Sequence, residues 1–255
     1  MPDWKRVYFK GNLHPESLFE DFDQSFSQKG IKFTFEKNEV TAEPFQYPTD
    51  QSQVEELMNK ANKVLGIFVN ALELQYQQSL SFELVKTVKE RNGKDINLPL
   101  QEQLRLQDQP VRRIVRQTIT GKAQIARSVM PEVSEAERMT ALADQDPALC
   151  QALYYHSKAL REEELDAKAG FLYKAVEVFK KKFGGWKEFG TELGLTTTEL
   201  DEVKRVANEA QRDARHAPDN PDRIQPLTRQ EIERMTRRAK DVILKYRDRI
   251  TQSGQ

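Results

Sequence analysis

One cysteine, three histidines, no long apolar run and no net charge: each scarcity in this 255-residue chain closes off a class of protein. Cys150 alone cannot form an intramolecular disulfide, and it excludes a cysteine-rich zinc site. His14, His156 and His216 lie far apart and form no ligand pair at helical spacing, so no metal is expected. No stretch approaches the roughly 20 consecutive apolar residues that span a bilayer. The first residues, Met1 to Arg6, lack the apolar run of a secretory leader. The expectation is therefore a cytoplasmic protein with no membrane partner. Forty basic and forty acidic residues cancel, so only a local patch could attract a polyanion. The chain also lacks a phosphate-cradling glycine-rich loop, a Gly-x-Ser-x-Gly elbow and a paired-histidine metalloenzyme motif, and no cofactor is implied.

What is present is charge laced with apolar residues at helical spacing. Charged residues make up 31% of the chain and hydrophobic ones 38%, which reads as long solvated helices around ordinary cores. The patterning predicts an α+β protein: a small mixed α/β domain over residues 1–130, then an all-α helical bundle over 131–255.

In the first part, residues 5–11 read as a strand. His14-Pro15 reads as the opening of a helix to about Gln28, with Leu18, Phe19, Phe22 and Phe26 on one side. Ile31 to Glu36 alternates as a half-buried strand does, and Lys37-Asn38-Glu39 turns it back into Val40-Thr41. Asp50 to about Gln78 keeps the three-four spacing of an amphipathic helix through Leu57, Ala61, Val64, Phe68, Leu72 and Tyr76. Ser81 to Lys89 alternates again. Asn92-Gly93 then supplies the pair that favours a two-residue hairpin turn, with the return strand at about 95–98. Val111 to Thr120 reads equally as a strand or an amphipathic helix. Five basic residues and no acidic one lie between Gln109 and Pro131, namely Arg112, Arg113, Arg116, Lys122 and Arg127. They are either a phosphate-contacting strip or a solvated face.

From Pro131 onward helix follows helix. Ser134 to Glu137 matches a capping box, as does Thr228 to Glu231, and Asp146-Pro147 matches an N-cap followed by a first-turn proline. A central helix over about Glu162 to Phe183 carries two apolar stripes, ends at Gly184-Gly185, and has Lys180 to Lys182 at its negative dipole end. Trp186 and Phe189 read as an anchor for the loop after it. His156 reads as a neutral core residue and Cys150 as a buried structural thiol.

A further helix, capped at Thr198 and stopped before Pro218, puts Leu200, Val203, Ala207, Ala210, Ala214 and Ala217 on one stripe. The opposite side holds Arg205, Asn208, Glu209, Arg212 and His216. Arg212 and His216 are four apart, so their functional groups can converge on one small ligand. Arginine brings a permanent charge and paired donors suited to a phosphate, and histidine moves a proton near neutral pH. Together they suit metal-free RNA cleavage, with Arg212 and His216 catalytic and Arg205, Asn208 and Arg215 contacting substrate. The plainer alternative is a solvated helix end.

Two segments carry a family resemblance. Ala167 to Phe179 is similar to the early helix of the HEPN superfamily (higher-eukaryote and prokaryote nucleotide-binding), and Val206 to Ala217 resembles its arginine–polar–spacer–histidine signature. Three residues separate Arg212 from His216, one fewer than the family's shortest spacing. The resemblance spans about residues 140–250. It implies a nucleic-acid-directed homodimer, a metal-independent ribonuclease of a bacterial defence or toxin setting. Many HEPN-like proteins are instead non-catalytic, which leaves open an assembly protein whose helical half binds itself or a protein partner.

Overall fold

The computed structural model describes residues 6–15, 19, 22–91, 94–99, 133–208 and 227–253. Among the described residues six strands form one antiparallel sheet: β1 (Arg6–His14), β2 (Asp23–Gln28), β3 (Ile31–Glu36), β4 (Glu39–Pro44), β5 (Ser81–Arg91) and β6 (Lys94–Pro99), in the order β2-β3-β4-β1-β5-β6. Between β4 and β5 runs the long helix α1 (Gln51–Tyr76). The second part holds α2 (Val133–Gln145), α3 (Pro147–Arg161), α4 (Leu165–Phe183), α5 (Trp186–Glu192), α6 (Thr197–Asn208) and α7 (Arg229–Ser253). The architecture is α+β. Among the described residues no helix is long and apolar enough to cross a membrane.

The sheet follows its alternation. Ile31, Phe33 and Phe35 of β3 are buried while Lys32 and Glu36 are exposed, and Val40 and Ala42 of β4 join the same apolar face. Phe68 of α1 stacks on Phe26 and Phe35, with centroids 4.6 and 5.2 Å away. β1 carries a bulge between Lys10 and Gly11 against β5. A Cβ on Gly11 would lie 1.9 Å from the Glu83 carbonyl oxygen, so the strands meet there only because position 11 has no side chain.

One expected element is different in kind. The segment that spacing reads as a helix from His14 to Gln28 contains the end of β1 and the whole of β2. Phe19, Phe22 and Phe26 are indeed core residues. What organises the end of this segment is pairing of β2 with β3, Phe26 opposite Phe33 and Gln28 opposite Ile31, and the exposed Ser25 and Ser27 flank Phe26 with strand periodicity.

The helices start where local chemistry satisfies their free N–H groups. Asp50 caps α1 by accepting from the Gln53 amide at 2.9 Å. Asp146 accepts from Ala148 and Leu149 at 2.9 and 3.1 Å, with Pro147 in the first turn of α3. Thr228 and Glu231 form the expected reciprocal box at the start of α7. For α6 the cap is Thr196, not Thr198: Glu199 reaches back to the Thr196 amide at 2.7 Å, and Thr196 Oγ1 accepts from the Glu199 amide at 3.2 Å. Of three adjacent threonines, Thr196 has the glutamate three residues on. Ser134, expected as a cap, lies inside α2. Gly184 closes α4 in the left-handed conformation, φ 84°.

α1 is buried on more than its sheet side. It packs on β5, α2 and α3, and α2 also touches β2. Lys29, in the β2–β3 turn, pairs with Asp144 of α2 at 2.5 Å. The apolar core is accordingly one cluster running from Val7 to Tyr246. Within the helical part α4 packs against α3, α6 and α7, while α6 and α7 pack on each other and α3 also meets α7.

Candidate functional site

Two of the five candidate residues, Arg205 and Asn208, fall on the last turn of α6, of which only the backbone is described. Arg212, Arg215 and His216 lie outside the described residues, as do Ala210, Ala214, Ala217 and Pro218 and the basic residues 112–127. The described part of α6 buries Leu200 and Val203 against the bundle, as the stripe requires. α6 leads directly into residues 209–226, and α7 returns from them along α6.

The flanks of α6 are charged on one side and aromatic on the other. Toward α7, Arg238 Nε donates to Glu202 at 2.7 Å and Nη1 to Glu199 at 3.0 Å, while Lys245 Nζ stands 3.4 Å from Glu199. The Thr196 amide and hydroxyl, then Lys245, hold the Glu199 carboxyl down at about 2. Toward α5, Lys204 lies over the Trp186 ring, 5.4 Å from its centroid. Phe189 is the true anchor of this corner: it is fully buried, while Trp186 is half-buried.

Two buried polar side chains, Glu73 and His156, stand elsewhere in the fold. Glu73, fully buried on α1, accepts from the Leu80 amide at 2.7 Å and from Arg161 Nε and Nη2 at 3.1 and 3.0 Å. Burial raises its pKa, opposed chiefly by the Arg161 charge, with Ser157 and the Leu80 amide adding to that opposition. The signal in the sequence was a lone carboxylate between Leu72 and Leu74 on a helix buried around most of its circumference. His156 is fully buried on α3, and neither ring nitrogen reaches a protein partner. Burial, aided by the Lys240 charge, pushes its pKa down to about 3, so the imidazole is neutral. That is the core role its position suggests, not an acid–base role.

A cleft of about 210 Å³ opens where α1 meets α2 and α3, lined by Lys63, Ile67, Asp144, Pro147 and Cys150 among others. Burial raises the Cys150 pKa, which keeps the thiol protonated and a poor nucleophile. Among the described residues no group of three or more His, Cys, Asp or Glu side chains is placed to hold a metal ion. Compared with protein-family models, curated proteins and solved structures, the chain matches none.

Proposed function

We propose that this protein acts on RNA as a HEPN-like, metal-independent ribonuclease that works as a homodimer, with Arg212 and His216 as its catalytic pair. The observation that carries this reading is the setting of α6. It packs in a bundle with α4 and α7, buries the Leu200 and Val203 stripe, and leads straight into the segment bearing the Arg–His signature.

The chemistry needs no metal. His216 takes the proton of a ribose 2′-hydroxyl, and that oxygen attacks the adjacent phosphorus. The bond from phosphorus to the 5′-oxygen of the next nucleotide breaks, leaving a 2′,3′-cyclic phosphate. An acid from the second subunit's copy of the site protonates the departing oxygen. Arg212 offsets the charge that develops on the non-bridging oxygens, and Arg205, Asn208 and Arg215 hold the substrate. Cleavage of RNA with chelator present, lost in His216→Ala and in Arg212→Ala, is the expected result. Equal activity in parent and His216→Ala would remove the assignment.

A second reading is a non-catalytic assembly protein, favoured by the balanced 40 and 40 charges and by the shortened arginine–histidine spacing. It predicts oligomers or a retained protein partner by light scattering and pull-down, with no RNA cleavage. A strict monomer that retains no partner would count against it.

A further inference from the structure

The corner where α4, α5 and α6 meet gathers cations around one half-buried indole. Trp186 rests on Tyr173 and Phe189, with ring centroids 5.9 Å away in both cases and tilts of 58° and 60°. Lys180 of α4 and Lys204 of α6 bring their ammonium groups to 5.6 and 5.4 Å from the Trp186 centroid. Lys181 and Lys187 are exposed at the neighbouring positions. Three carboxylates share the corner, among them Glu188, whose Oε2 lies against Gly185 beside Trp186. Glu177 lies 3.9 Å from both Lys180 and Lys181 and accepts from the Tyr173 hydroxyl at 3.3 Å, and Asp201 pairs with Lys204 at 2.8 Å.

Dipole compensation at the end of α4 accounts for lysines there, but not for a second ammonium arriving on the same ring from α6. Nor does the corner suit a cationic ligand, because two positive groups already face the indole. It suits a flat ring joined to an anion. Lys180 and Lys204 are both partly exposed, and a nucleobase stacked on an indole outweighs an ammonium–ring contact open to water on one side, so an arriving base displaces a lysine, which is then within reach of that nucleotide's phosphate.

We propose that Trp186, with Lys180 and Lys204, is a stacking platform for an unpaired nucleotide of single-stranded RNA. This rests on the RNA-directed reading above and adds to it a place where the strand is held. Lys204 lies one turn before Asn208 on α6, the helix that leads into the segment bearing the proposed catalytic pair.

The test is fluorescence anisotropy of an end-labelled 2′-O-methyl oligouridylate, which lacks the attacking 2′-hydroxyl and so stays intact, titrated with the full chain. Trp186→Ala should weaken binding at least tenfold and Trp186→Phe less. Lys180→Glu with Lys204→Glu, which leaves the indole in place, should weaken it and flatten the dependence of affinity on salt. Pairing the oligouridylate into a duplex with oligoadenylate should also weaken binding. A charge-reversed variant with parental circular dichroism and parental affinity would overturn the platform, as would equal binding of the duplex. So would no binding of the oligouridylate at all. Cleavage separates the two ideas. If cleavage depends on His216 while Trp186→Ala binds and cleaves as the parent does, the platform fails and the nuclease stands. If Trp186→Ala weakens binding but His216→Ala cuts like the parent, the nuclease fails and the platform stands.

Discussion

Glu73 and Glu199 are the same side chain, each facing an arginine about 3 Å away, and their surroundings push them in opposite directions. Glu73 is sealed at the junction of α1 and α3, where burial raises its pKa. Glu199 lies near water at the start of α6, where the Thr196 amide and hydroxyl lower it to about 2. The difference teaches that the arginine partner does not decide what a carboxylate contributes here. Desolvation decides it for Glu73, and backbone donors decide it for Glu199.

The strongest way to break this contrast is to remove the arginines. Arg161→Ala leaves the Glu73 carboxylate buried without its cation and should cost about 3 kcal/mol in urea unfolding. Glu73→Gln in the same chain should recover part of that, because the amide carries no charge. A loss no larger than that of Arg238→Ala would end the contrast.

Asp146 lies between the two cases. It caps α3 and also accepts from Lys182 at 2.5 Å and Tyr246 at 2.7 Å, so Asp146→Ala should cost about 2 kcal/mol. Thermal unfolding of the variant checks this.

Glu199→Gln should cost about 1 kcal/mol at neutral pH by weakening the capping box. Because the folded pKa lies below the usual 4.5, its stabilisation is fully present above that value and fades as pH falls through about 2. The gap between parent and variant should therefore narrow between pH 5 and pH 3. Glu73 works the other way: its ionised form is penalised in the folded state, so its contribution worsens as pH rises above 4.5. Smallest of all, Arg238→Ala should cost roughly 0.5 kcal/mol, since its pairs with Glu199 and Glu202 are partly exposed. Added salt should shrink that figure.

The same two regions differ in how far they could be read from residues alone. In the helical part the signals are local. Thr228 and Glu231, Asp146 and Pro147, and Gly184 each act on backbone groups within a turn of themselves, and each marks a true helix end. Thr196 was missed for Thr198 because three threonines in a row offer the same oxygen, and only Glu199 selects among them. At the sheet the signals are non-local. Phe19, Phe22 and Phe26 fit helical spacing in sequence, and it is pairing of β2 with β3 that fixes the strand. Glu73 shows in the sequence only as a lone carboxylate between two leucines, because its partner Arg161 is 88 residues away. The aromatic corner was half legible, since the tryptophan and the lysine run were visible but their meeting with Lys204 required the fold. Arg212 and His216 are sequence assignments, and the fold contributes the packed helix that leads to them.

The most direct measurement is cleavage of a single-stranded RNA by the purified chain with excess chelator, comparing the parent with His216→Ala and Arg212→Ala. The expected product is a 2′,3′-cyclic phosphate, and the rate should fall roughly 100-fold or more when the imidazole is removed. Cleavage that persists unchanged in His216→Ala, or no cleavage by the parent, would contradict the assignment.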